Sequence, residues 1–265
     1  MHAVRADRPC GAQHETRDVG AAAERVFWHK YFVRRIKNGK LAHFLVILGP
    51  RRRVMRRTRI KICGITRPED ALTAVTEGAD ALGLVFSAVS PRNISAARAA
   101  DVVAAVPPYV TVVGLFLDAP RAEIERVLTR VRLSALQFHG DESAEDCRGF
   151  NLPYIKAVAM AGMSDPQAYA ARFPEAQGFL FDSHAPGQRG GLGQTFDWHA
   201  LPAAFGRPVI LAGGLNPSNI AAAVRQVRPY AVDVSSGVEA SKGIKDPVKV
   251  RAFIQAVREV DCEFA

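Results

Sequence analysis

The sequence lacks the features that mark a secreted, membrane-spanning or metal-stapled protein. Its four cysteines, Cys10, Cys63, Cys147 and Cys262, show no CxxC spacing, no Cys/His ligand pattern and no disulfide framework. That usage implies a reducing compartment. No apolar run approaches the roughly 20 residues a membrane span needs. The longest near the start, Phe44 to Leu48 with Leu41 and Ala42 before it, is too short. The opening stretch mixes acids and bases and has no apolar h-region, so it does not read as a secretory signal. A cytoplasmic protein with no membrane partner is expected.

Acidic residues are also in short supply, but only locally. The chain holds 35 Lys/Arg against 26 Asp/Glu, a net charge of +9. Residues 1–57 carry 14 bases and 4 acids; residues 58–265 carry the remaining 21 and 22. The main body is therefore close to neutral, and the basic total says nothing about its partner. No nucleic-acid partner is expected for it. A rival reading rests on residues 1–57, where Phe27, Trp28, Tyr31 and Phe32 stand among bases, a weak pattern for nucleic-acid contact.

What is present is a long, regular alternation. Residues 1–57 show no clear period and are read as a basic, disordered extension; the domain runs over 58–265. From Arg59 onward, short apolar runs alternate with breaks and amphipathic stretches. The runs are Arg59–Ile65, Ala81–Phe86, Thr111–Leu117, Ala135–His139, Tyr154–Ala159, Gly178–Asp182, Pro208–Ala212 and Ala231–Val234. Near-continuous hydrophobicity over so few residues predicts strands of a parallel sheet covered on its outer face. Helices are predicted at Glu69–Glu77, Ala96–Ala105, Arg121–Val131, Pro217–Val227 and Pro247–Val260, with capping signals at Thr66, Asn216 and Asp246. An open doubly wound sheet would carry its glycine fingerprint at the first βα turn. Here the glycines come late, which favours an α/β fold of the closed (β/α)8 TIM-barrel type.

In such a barrel, chemistry sits at the C-terminal ends of the strands. Those ends supply Cys63, Phe86, Leu117-Asp118, His139, Lys156, Asp182, Gly213-Gly214 and the stretch from Asp233 through Ser235 and Ser236 to Gly237. Glycine segments after strands seven and eight let backbone amides approach a phosphate dianion, which predicts a phosphorylated small-molecule ligand. Cys63 is either a buried small hydrophobe or a thiol base. Asp182 is either a general acid/base or a cap for loop amides. Arg92, in the loop after strand two, is either a surface charge or a carboxylate clamp. His139 lacks a second His or carboxylate at ligand spacing, so it reads as lining the site, and no metal is expected. Gly187, Gly190, Gly191 and Gly193 suggest a loop able to close over the mouth.

Taken together, these segments resemble the phosphoribosylanthranilate isomerases. The carrying motifs are Lys61-Ile62-Cys63-Gly64-Ile65-Thr66, Ser90-Pro91-Arg92-Asn93-Ile94-Ser95, Leu136-Gln137-Phe138-His139-Gly140-Asp141-Glu142, Gly190-Gly191-Leu192-Gly193-Gln194-Thr195-Phe196-Asp197-Trp198, Leu211-Ala212-Gly213-Gly214-Leu215-Asn216-Pro217 and Val232-Asp233-Val234-Ser235-Ser236-Gly237-Val238-Glu239. The resemblance implies an isomerase of tryptophan biosynthesis that carries out an Amadori rearrangement of N-(5-phosphoribosyl)anthranilate without cofactor or metal. It implies Asp182 as general acid, Cys63 as general base, Arg92 on the anthranilate carboxylate, and the late loops on the phosphate. Residues 1–57 depart from the family, whose members begin close to Arg59; an over-extended start, with Met55 near the true one, or an appended tail is expected. The enzymatic rival, the barrel isomerase of histidine biosynthesis, would use two Asp as its acid–base pair, against the Cys at 63. A pentulose-phosphate epimerase would need metal-binding positions not found here. Monomer and homodimer both stay open.

Overall fold

A computed structural model of the chain describes residues 30–37, 40–47, 57–184, 195–202 and 205–264. The chain divides into two compact units, Met1–Met55 and Arg56–Ala265. In the first, strands Lys30–Lys37 and Lys40–Ile47 pair antiparallel, with Lys30 opposite Ile47 and Lys37 opposite Lys40. Phe27, Trp28 and the glycine-rich loop at 185–194 lie outside the described residues.

The second unit is a closed barrel of eight parallel strands. These are β1 (Arg59–Cys63), β2 (Ala81–Val85), β3 (Thr111–Phe116), β4 (Ala135–Phe138), β5 (Tyr154–Ala159), β6 (Gly178–Asp182), β7 (Val209–Leu211) and β8 (Ala231–Val234). Each pairs with the next, and β8 closes on β1 with Val234 opposite Ile62. The helices are α1 (Pro68–Thr76), α2 (Ala96–Ala105), α3 (Arg121–Leu128), α4 (Ala144–Cys147), α5 (Pro166–Ala171), α6 (Ile220–Val227) and α7 (Pro247–Glu263). Between β6 and β7 the described residues hold only a 3-10 turn, Trp198–Ala200.

Both faces of each strand are covered, which is why the runs look uniformly apolar in sequence. Side chains still alternate. Ile60 and Ile62, Phe179 and Phe181, and Val232 and Val234 belong to the main core with Phe253 and Val257 of α7. The other face carries a smaller cluster of Ala157, Leu180, Ile210, Ala212 and Ala231. The same alternation sends Lys61, Cys63, Gln137, His139, Asp182 and Asp233 inward. Lys156 has the opposite parity. It is fully buried on the helix side, donating to Glu142 at 2.9 Å and to the Gly140 carbonyl at 2.5 Å, so it is a brace and not a mouth residue.

Two of the three capping expectations need correction. Thr66 does not cap α1; its hydroxyl donates to the Gly243 carbonyl at 2.6 Å, and Arg67 stands at the N-cap without a side-chain bond. Asn216 is too early for α6, which starts at Ile220; its Oδ1 accepts from Ser218 N at 2.9 Å in a turn before the helix. Asp246 does cap α7, accepting from Val248 N and Lys249 N at 2.9 and 3.3 Å. The helix then buries Val250, Phe253, Ile254, Val257 and Val260, the spacing of one helical face.

The barrel is fastened at its first strand. Asp261 of α7 accepts from Thr58 N at 2.8 Å and Thr58 Oγ1 at 2.7 Å, and Arg57 pairs with Asp80. A chain beginning at Met55 keeps all of these and is expected to unfold in urea at the full chain's midpoint. Asp261→Ala strands the buried Thr58 donors and should lower stability by about 1–3 kcal/mol. A midpoint unchanged in Asp261→Ala would show that the fastening is idle.

Candidate functional site at the barrel mouth

The inward residues at the strand ends, with the loops that follow, line one cleft that opens to solvent. Of the residues singled out from sequence, Cys63, Arg92, His139, Asp182, Gly213, Gly214, Asp233, Ser235 and Ser236 line it. Gly237 is not among its lining residues. Its place is tighter: a Cβ there would meet the Leu215 carbonyl oxygen at 1.9 Å and Asn216 Cα at 2.9 Å. Only glycine lets the loop after β8 lie against the loop after β7. Gly213 has φ +80°, and a Cβ on it would strike Ser183 N at 2.5 Å. The two glycine segments are therefore packed side by side at the mouth. On the β2 and β3 side the wall is apolar, built by Val85, Val89, Pro91, Leu115 and Leu117.

Cys63 ends β1 opposite Gly83 of β2, and a Cβ at Gly83 would lie 2.6 Å from its sulfur. The thiol thus occupies the space a side chain at 83 would fill. Below it, Lys61 Nζ meets Asp233 Oδ2 at 2.8 Å, both groups buried. Burial pushes the Cys63 thiol up, the Lys61 ammonium pulls it down, Asp233 pushes it up again, and the net is above the ordinary thiol value. For Lys61, burial works against the ammonium, but Asp233 and Cys63 outweigh it and hold it charged.

Asp182 ends β6 between two imidazoles. His139 Nε2 lies 3.6 Å from its Oδ2 and His184 Nδ1 lies 3.5 Å from its Oδ1, with the two rings stacked at 4.7 Å between centroids. Strands β4 and β6 are alternate, and alternate strands of such barrels supply the same layer of inward side chains. His139 and Asp182 therefore meet across β5. His139 Nδ1 is 3.0 Å from Gln137 Nε2. Burial would raise the Asp182 carboxyl, but His139 and then His184 outweigh it and hold it well below the carboxylate range. The three residues place potential ligand atoms within 4.8 Å of one another. Sequence spacing showed no such grouping around His139, because its partners come from another strand.

Arg92 lies over Gly64, where a Cβ would meet Arg92 Cδ at 2.6 Å. Its Nε and Nη2 donate to Glu239 at 2.8 and 2.9 Å, leaving Nη1 as the edge Glu239 does not take. Lys245 joins them, donating to Glu239 Oε1 at 2.9 Å and to the Ser235 carbonyl at 3.1 Å. Glu239 thus ties the loop after β2 to the loop after β8. Lys61, His184, Glu239, Lys245 and Gly83 were not singled out from sequence. A period-two reading would have reached Lys61 and His184, each two residues from a residue that was.

A closed parallel barrel with this polar, glycine-bounded mouth places the chain among the (β/α)8-barrel enzymes. The family model described as N-(5'-phosphoribosyl)anthranilate (PRA) isomerase matches residues 60–256, and the chain belongs to that family. The N-(5'-phosphoribosyl)anthranilate isomerase of Pseudomonas aeruginosa strain UCBPP-PA14 is 58% identical over 200 residues, 76% of this chain and 95% of that protein. The one from Pseudomonas fluorescens strain Pf-5 is 56% identical over 200 residues, with the same coverage. Among solved structures, the phosphoribosyl anthranilate isomerase of Thermus thermophilus is 40% identical with a TM-score of 0.68, covering 76% of this chain and 99% of that one. A phosphoribosyl anthranilate isomerase complexed with reduced 1-(o-carboxyphenylamino)-1-deoxyribulose 5-phosphate is also 40% identical, with a TM-score of 0.66 and the same coverage.

The charges around Cys63 predict its reactivity. Alkylation by iodoacetamide, read at the Cys63 peptide by mass spectrometry, should rise with pH to a midpoint above that of a free thiol. Lys61→Met with Asp233→Leu removes the ion pair together and so strands neither charge. Because Lys61 lowers the thiol more than Asp233 raises it, the midpoint should move further up. A downward shift would contradict this electrostatic ordering.

Proposed function

We propose that the chain converts N-(5-phosphoribosyl)anthranilate to 1-(2-carboxyphenylamino)-1-deoxyribulose 5-phosphate, the isomerisation step of tryptophan biosynthesis. The observation that carries the reading is one cleft in which Cys63 and Asp182 flank the glycine segments after β7 and β8. Counting round the barrel, the order is β6, β7, β8, β1, so a phosphate held on those segments lays the ribose between carboxyl and thiol.

Asp182 gives its proton to the furanose ring oxygen; the C1–O bond breaks as the anilino nitrogen lone pair forms the iminium. Cys63 thiolate then takes the C2 proton, giving an enolamine that tautomerises to the ketone. The apolar wall of Val85, Val89, Leu115 and Leu117 suits the anthranilate ring. Arg92, through the Nη1 edge left by Glu239, suits its carboxylate. Ser235 and Ser236, at the start of the loop after β8, and Gly213 and Gly214 suit the phosphate. His139 lines the acid's flank and Asp233 steadies Lys61.

The free carboxyl of Asp182 is held ionised by its two imidazoles, while a general acid must enter the cycle protonated. The substrate brings a phosphate and a carboxylate. Negative charge arriving beside a buried carboxyl raises its proton affinity. Substrate binding therefore loads the acid. The thiol, raised by burial, is a strong base once Lys61 has helped to ionise it.

Removing either proton-transfer group should cost about 10²–10⁴-fold in kcat, the usual worth of one positioned acid or base. Cys63→Ala and Asp182→Asn are both expected to show this loss in a fluorescence assay of phosphoribosylanthranilate consumption, while still binding a product analogue. A chain beginning at Met55 should retain full activity. Near-normal turnover in Cys63→Ala, or a change confined to KM in Asp182→Asn, would remove that residue from its role.

A further inference from the structure

The grouping of His139, Asp182 and His184 is not needed in full by the isomerisation, which asks only for the carboxyl. Its geometry is unusual for a hydrogen-bonded cluster. The nitrogen–oxygen separations of 3.6 and 3.5 Å are longer than the roughly 2.7–3.2 Å of a nitrogen–oxygen hydrogen bond. His139 Nε2 and His184 Nδ1 are buried, and neither has a partner closer than the Asp182 carboxylate at those long separations. Both side chains are more than nine-tenths buried and turned toward the same carboxylate.

Zinc resolves each of these features. Zinc–nitrogen and zinc–oxygen bonds of about 2.0–2.1 Å at a tetrahedral angle put neighbouring ligand atoms about 3.3–3.4 Å apart. The two nitrogen–oxygen separations, one to each carboxylate oxygen, approach that spacing, and one ligand atom from each residue lies within 4.8 Å of the others. The imidazoles, stacked with 23° between their planes, turn about their side-chain bonds for both lone pairs to meet one ion. His139 also has its outer partner. A ligating imidazole turns its other nitrogen, as N–H, to an acceptor. Gln137 Oε1 is buried without a partner on the same amide whose nitrogen stands 3.0 Å from His139 Nδ1. Turning that amide over supplies the acceptor.

We infer that His139 Nε2, His184 Nδ1 and the Asp182 carboxylate form a three-ligand site for zinc or a similar borderline divalent cation, with its fourth position open to the cleft. Occupancy removes Asp182 from proton transfer, so the site is inhibitory and its cation competes with substrate. The cation is thus a ligand of the mouth and takes no part in the rearrangement. The cation site itself stands on the side-chain geometry, while its inhibitory effect rests on the isomerase reading.

The test uses the full chain, stripped with a chelator. Zinc binding is read by calorimetry, and Co²⁺ substitution by the intensity of its visible d–d bands, which reports four-coordination. One zinc equivalent should be lost in His184→Ala and in Asp182→Asn. Each loss should exceed the about 10–100-fold weakening that follows removal of an outer-shell partner. Cys63→Ser should bind as the native chain does, and circular dichroism checks that every variant is folded. Zinc should raise the apparent KM and leave kcat unchanged, with chelator restoring the rate. No zinc uptake by the native chain, an equivalent kept in both His184→Ala and Asp182→Asn, or one lost in Cys63→Ser would overturn the inference. Zinc uptake by a chain without isomerase activity would leave it standing and sink the functional reading instead.

Discussion

Everything at the mouth depends on the period-two alternation of strands locked in a closed barrel. A slip of one residue in any strand would turn its whole set of side chains to the other face. On β1 such a slip would drive Lys61 and Cys63 into the helix layer and Ile60 and Ile62 into the lumen. Closure removes the free edges at which such slips begin. The lumen therefore receives a fixed set of groups, with apolar ones such as Leu180 and Ala231 below and ionisable ones above. The latter are affordable because they arrive in compensating pairs and groups: Lys61 with Asp233, Asp182 between two imidazoles, and Arg92 with Glu239 and Lys245.

Those groupings divide the labour of the mouth. The Lys61–Asp233 pair sits under the thiol and sets its charge from below. The Arg92–Glu239–Lys245 network holds loops together, and its grip on Arg92 fixes which edge of the guanidinium can face a ligand. The glycines do a third job. Gly83 makes room for the sulfur of Cys63, and Gly237 lets two loops touch where any side chain would hit a backbone carbonyl. The cleft is shaped as much by these absent side chains as by those present.

Most of the architecture was legible in the sequence, because short apolar runs and their spacing follow directly from burial on both faces. The runs at Tyr154–Ala159, Gly178–Asp182 and Ala231–Val234 coincide with observed strands, and the others end within two residues of theirs. Side-chain capping was less legible. Thr66 and Asn216 have the right chemistry, but their hydroxyl and amide are used by a loop and a turn, a choice made by tertiary contacts. Lys156 looked like a mouth residue because a strand end was read without its parity. What sequence could not supply were the long-range pairings. Nothing local joins Arg92 to Glu239, or His139 to His184, since both pairs come from elements one strand apart that meet only when the barrel closes.

The central claim is that a thiol and a carboxyl face each other across a sugar whose phosphate is held between the loops after β7 and β8. A crystal structure of the Met55-initiated chain with the reduced rearrangement product tests it most directly. The account predicts the phosphate on the Gly213–Gly214 and Ser235–Gly237 segments, with C2 within about 3–3.5 Å of the Cys63 sulfur, as near-attack geometry requires, and Asp182 on the opposite flank. A phosphate bound elsewhere, or both groups on one side of the sugar, would contradict it.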